Sequence, residues 1–247
     1  MIAQIRSEAY KLATTRTNAG IAAAIVGLVS LAVLLHAFGL PVEKLGNQYQ
    51  QRGIFIDVGV NLGILFAALL GALSITSEFR TGTIRPTLLV TPRRAQVIAA
   101  KTLCVLLAGA VTGVLAAGTA AGAGSIGLTI RGVTVELTAG DVTRLLVGAG
   151  AAGALWAAIG LGVGAVIRAQ VPTIVGLFAW VLFIENVLGG DLPSAHRFVP
   201  GALAQALGGQ VRDGILTSAA LAAVLLAGYA AVAAITGMSA MLRRDVA

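Results

Sequence analysis

Two places in this chain gather residues able to do chemistry. The first is SEFRTGTIRPTLLVTPRRAQVIAAK, residues 77 to 101, where Glu78 is the one acid among Arg80, Arg85, Arg93, Arg94 and Lys101. The second is Glu185 with Asn186 beside it, an acid and an amide at the end of a run otherwise free of charge. Counting from Pro172 at about 1.5 Å per residue, Glu185 lies roughly 20 Å along a helix, in the outer third of a bilayer core. An acid at that depth is neutral, paired or wetted. Its candidate partners are Asn186, Arg197 and Arg212. Either it closes a broken end of a span, or it lines the outer mouth of a substrate path. Trp156 and Trp180 fall mid-span rather than in an interfacial belt. They fill gaps left by Gly and Ala, or they line such a path.

Other chemistries find no support. No Gly-x-x-x-x-Gly-Lys-Ser/Thr loop occurs, so the chain does not itself cradle a nucleotide phosphate in that manner. There is no His-Glu-x-x-His run, the two histidines (His36 and His196) are far apart, and no Ser-His-Asp arrangement can be argued. Neither a catalytic residue nor a metal ligand set is expected. The lone Cys104 excludes an internal disulfide and reads as a packing residue.

The elements that must carry these residues are apolar. Hydrophobic residues make up 57% of the 247 and charged ones 11%, far below the roughly 25% of soluble domains. The mean hydropathy is +0.93. The net charge of +7 falls in short connections rather than on one face, which argues for a bilayer and against nucleic acid. Residues 1 to 18 are polar and basic with no short apolar core behind them, so no cleavable leader is expected. An all-α polytopic protein follows, a single transmembrane domain over 1–247. Its six spans are predicted near 19–39, 56–77, 93–120, 143–167, 172–189 and 215–240. The fifth is long enough only if it runs past Glu185 to Leu188.

Orientation comes from lysine and arginine near the span ends. One side would hold Arg6, Lys11, Arg16, Arg80, Arg85, Arg93, Arg94, Lys101, Arg168, Arg243 and Arg244. The other would hold Lys44, Arg52, Arg131, Arg144, Arg197 and Arg212. Both termini are therefore expected in the cytoplasm. Residues 2–16 place Ile2, Ile5, Ala9 and Leu12 on one face, with Arg6, Glu8, Lys11 and Arg16 elsewhere, which suits an interfacial helix. Residues 129 to 138 suit a short β-hairpin or extended loop, and the connection after span five a short re-entrant or interfacial helix. Glycine pairs at four-residue spacing (109/113, 118/122, 160/164) would let helices approach closely.

In the stretch 77–101, Gly82 should end span two. Thr83 can cap a short helix with Pro86 in its first turn, and Thr91 a second with Pro92 at its first position. Ile84, Leu88 and Leu89 give the first helix an apolar side. The result is a helix-break-helix knob on the cytoplasmic face, more ordered than a topology signal needs.

This stretch resembles the cytoplasmic signature of type 2 ABC export permeases. The matching positions are Glu78, Gly82, Thr83, Leu88, Pro92, Arg94 and Lys101. The resemblance implies a coupling helix, with Glu78, Gly82, Thr83, Ile84, Arg85, Leu88, Pro92, Arg93 and Arg94 contacting a separate ATP-binding subunit. It implies two such subunits, binding ATP and magnesium, and a second permease chain as homodimer or heterodimer. It also implies a multi-pass location in a bacterial inner membrane, the Ala/Val/Gly-rich composition being that of a high-GC bacterium. A stand-alone ion-coupled carrier, or a membrane immunity or assembly factor that transports nothing, are the alternatives.

Overall fold

The computed structural model describes residues 2–83, 94–210 and 217–243. Among them every regular element is helical: α1 (Ile2–Thr14), α2 (Arg16–Gly39), α3 (Gln48–Thr81), α4 (Arg94–Ile130) and α5 (Ala139–Ile167) come first. Next, α6 (Gln170–Ala179) passes through a π-helical turn (Trp180–Ile184) into α7 (Glu185–Asp191). Then come α8 (Pro193–His196), α9 (Pro200–Leu207) and α10 (Ala219–Arg243). Six helical segments are long and apolar enough to cross a membrane, the fifth being Gln170–Leu188, which does run past Glu185. The chain thus has the make-up of a multi-pass membrane protein.

Two spans are much longer than predicted. α3 begins at Gln48 because Asn47 caps it, its side chain accepting from the backbone N–H of Gln50 at 2.9 Å. Its other end comes at Gly82, whose φ of +69° lets the chain turn. α4 continues ten residues past the predicted end at 120, since that run holds neither proline nor charge; the turn follows at Gly132, φ +70°. Residues 129 to 138 form no strand: the end of α4, a turn and an extended loop lead into α5.

α3, α4 and α5 pack on one another to form the centre of the bundle, with α10 against α5 and α2 against α3 and α4. Burial ranks them. In the most apolar window of α3, 78% of residues are buried, against 22% in α2 and 17% in α10, so α3 is the axis and the latter two are the rim. Rim residues such as Leu31, Leu35, Val224 and Val232 point outward, a surface suited to lipid.

The close crossings depend on small residues. Cβ atoms on Gly109 and Gly113 of α4 would strike the α5 backbone at Gly153 and Ala149, and one on Gly160 of α5 would strike Ala68 of α3. Two of the three predicted pairs therefore sit at crossings. The third does not: Gly118 has only Leu146 nearby, and Gly122 faces open space.

Candidate functional site

Two polar clusters among the described residues bear on the site. The first joins α1 to the flanks of the 82–93 connection. The Nζ of Lys101, early in α4, donates to Glu8 Oε2 at 2.5 Å, to Glu78 Oε1 at 3.0 Å and to the Ser74 carbonyl at 3.3 Å. Lys11 donates to Glu8 Oε1 at 2.6 Å and to the same Glu78 oxygen at 3.0 Å. Glu8, Glu78 and Lys101 are buried, while Lys11 is partly exposed. Two carboxylates and two ammoniums neutralise each other there, the arrangement that lets buried charge persist.

Protonation follows from that geometry. Burial pushes the Glu8 carboxyl upward, but Lys101 and Lys11 outweigh it and hold the group below the ordinary carboxylate range. Burial pulls the Lys11 ammonium downward, but Glu8 and Glu78 outweigh it and raise it. Both groups stay charged across the neutral range.

Glu8 corrects the reading of α1. Taken from sequence as part of the solvated side, it turns inward between Ile5 and Leu12, because Lys101 offers the nearest neutralising charge. Ile2, assigned to the apolar face, is exposed. The helix ends at Thr14, two residues before the predicted 16.

In the second cluster, three of the four residues proposed for a substrate path converge on the start of α9. Glu185 Oε1 accepts from Trp180 Nε1 at 2.7 Å and from the backbone N–H of Gly201 at 3.0 Å. Trp156 is 1% exposed, and its Nε1 donates to the Pro200 carbonyl at 3.4 Å. Glu185 therefore caps a neighbouring helix, where a carboxylate meets free N–H groups and a favourable dipole. The π turn re-aims it, since one extra residue per turn brings Trp180 and Glu185 onto a shared side. Gly201 admits the carboxylate: a Cβ there would overlap it.

Its partners differ from those proposed from sequence. Asn186 is exposed and donates to the Leu182 carbonyl at 2.8 Å, outside the cluster. Arg197 stacks on Phe198, 4.8 Å from the ring centre. Arg212 lies outside the described residues. The connection after span five does form a short helix, α9, which is buried against α3, α5 and α10, its Ala and Leu residues packing among them.

Of the residues assigned to the coupling helix, Ile84, Arg85, Leu88, Pro92 and Arg93 lie outside the described residues, and of Arg94 the backbone alone is described, opening α4. Glu78 and Gly82 are placed as given above. The Thr83 hydroxyl lies 3.0 Å from that of Thr81.

Sequence reasoning passed over Glu8 and Lys11, although their three-residue spacing puts both on one side of α1. It also missed Gln51, fully buried near the start of α3. The Gln51 amide donates to the carbonyls of Leu45 and Thr134, both at 2.8 Å, and its oxygen accepts from the Glu136 N–H at 2.9 Å. A polar side chain on an apolar helix that satisfies three loop groups pins the 131–138 loop to the bundle. No metal-binding group of His, Cys, Asp and Glu occurs among the described residues. Cys104 is buried beside α1, as a packing residue should be. A scan against protein-family models gives no match, and no curated protein matches the chain.

Proposed function

We propose that this chain is the membrane-spanning permease subunit of an ABC exporter, moving an apolar or amphipathic compound outward with ATP hydrolysed by a separate subunit. The observation that carries the reading is the pairing of Glu78 with Lys101. These residues close the two ends of the stretch that resembles the export-permease signature, and both are tied to α1 by Glu8 and Lys11. A connection whose flanks are fixed by buried charge can pass a push at residues 83 to 94 into α3 and α4, the two longest helices. The partner ATPase, in two copies, would hold ATP and magnesium. A second permease chain, in a homodimer or heterodimer, would complete the path, and the location would be a bacterial inner membrane with both termini cytoplasmic.

The test is whether a P-loop ATPase is encoded beside this chain and, with such an ATPase, co-expression of the tagged chain. Capture of the ATPase by wild type, and its loss in Leu88→Asp at unchanged membrane yield, supports the reading. Equal capture by both, or none by either, removes it.

The buried Glu185 favours a second reading, a stand-alone ion-coupled carrier, because such carriers need an ionisable group inside the membrane. Uptake or efflux driven by a proton gradient in vesicles lacking ATP, abolished in Glu185→Gln, would replace the first reading with this one.

A further inference from the structure

Beside the ion cluster, an apolar groove of about 460 Å³ opens between α1, α2 and α4. Its α1 wall is Ile5, Ala9 and Leu12, the apolar stripe of that helix, and its α4 wall includes Leu107 and Val111. Leu107 is 60% and Val111 67% exposed, on a helix long enough to cross a membrane, so the groove opens sideways toward hydrocarbon. Its volume falls in the range of roughly 300–1,000 Å³ usual for small-molecule sites.

The groove does not end in apolar surface. Leu12 and Asn18 also line a second cavity of about 340 Å³, into which the ion cluster opens. Lys11, Lys101 and Arg80 there face Glu8 and Glu78, three cations against two carboxylates. The two lysines are consumed by the carboxylates, while the exposed Arg80 has no acidic partner among the described residues. A surplus positive charge thus stands at the head of a groove open to lipid. A single-signed excess beside an apolar slot calls for an anionic head on an apolar tail. A zwitterionic head would bring its own cation back to a site already carrying one too many.

We propose that α1, α2 and α4 form a binding site for one anionic membrane phospholipid, with an acyl chain in the groove and the phosphate at Arg80. The proposal rests on the membrane-spanning character of α2 and α4, not on coupling to an ATPase.

The full chain, purified in mild detergent, is incubated with equal amounts of phosphatidylglycerol and phosphatidylcholine and read by native mass spectrometry. Wild type should retain one phosphatidylglycerol per chain in preference to phosphatidylcholine. Ala108→Trp and, from the opposite wall, Ala22→Phe fill the groove and should lose both lipids. Thermal unfolding of each variant identifies those that keep the fold, and two walls give two independent chances. Arg80→Gln should still bind lipid with the preference reduced about fivefold, the weight of one basic side chain near an anionic lipid. Equal retention of the two lipids by wild type overturns the proposal, as does phosphatidylglycerol retained unchanged in a folded groove-filling variant. A dimer that dissociates on filling while bound lipid persists assigns the groove to a second copy of the chain and overturns it as well.

Discussion

Replacing Lys101 by methionine tests whether the ion cluster holds α1 to the bundle. The substitution keeps the stem and removes the ammonium that neutralises Glu8 at 2.5 Å and Glu78 at 3.0 Å. Both carboxylates are then buried with Lys11 alone, whose side chain is 42% exposed and screened accordingly. Removing one partner of a buried ion pair costs about 3–5 kcal/mol, and the remaining Lys11 places the expected loss at the lower end, about 3 kcal/mol. In a chain of this length, roughly 2–4 °C of melting temperature accompany each kcal/mol, so a fall of about 6–12 °C is expected. The assay is thermal unfolding in detergent, followed by intrinsic fluorescence. Glu8→Gln made in the Lys101→Met background should recover part of the loss, because it removes one of the stranded charges. A coupling of about 1–3 kcal/mol between the two sites is the expected signature. A melting temperature within about 1 °C of wild type for Lys101→Met, or strict additivity in the double variant, would refute the reasoning.

The same cluster fixes an acid limit. The folded Glu8 carboxyl titrates below its ordinary value of 4.5, so its contribution is fully present above that pH and is lost as pH falls through the folded value; the difference in melting temperature between wild type and Glu8→Gln should shrink below pH 4.5. Lys11 titrates above its ordinary 10.5, so its contribution is present below that pH and is lost above it in an alkaline melt. In the Glu185 cluster, Gly201→Ala should cost about 1–3 kcal/mol by driving a methyl group into the Glu185 carboxylate, read as a lower melting temperature. Glu185→Gln keeps the oxygen that accepts from Trp180 and Gly201, so it should fold with near-normal stability. If Glu185 governs release in the proposed exporter, transport by that variant falls while ATP turnover persists. Gln51→Leu leaves two carbonyls and one N–H without their partner and should cost at least about 2 kcal/mol, with faster hydrogen exchange at Glu136 as the local readout.

Composition and spacing determined a great deal here. A chain with charge-free runs of about 20 residues has to satisfy its backbone within helices, so six spans follow from the positions of charged residues alone. Gly82 and the helix stop it makes, the small-residue contacts of Gly109, Gly113 and Gly160, and the continuation of span five past Glu185 were legible for the same reason: each is local or periodic. The partners of the charges were not. Glu8 lies 93 residues from Lys101, and Glu185 lies 16 residues from the N–H it accepts across a chain reversal. Which acid meets which base depends on how α1 folds back onto α4, and which donor meets Glu185 on how a π turn rotates one helix end toward α9. Glycines show the same division. Gly118 and Gly122 carry the motif of a helix crossing, yet packing leaves them without one, because a small residue permits a close approach and only a neighbouring backbone supplies it.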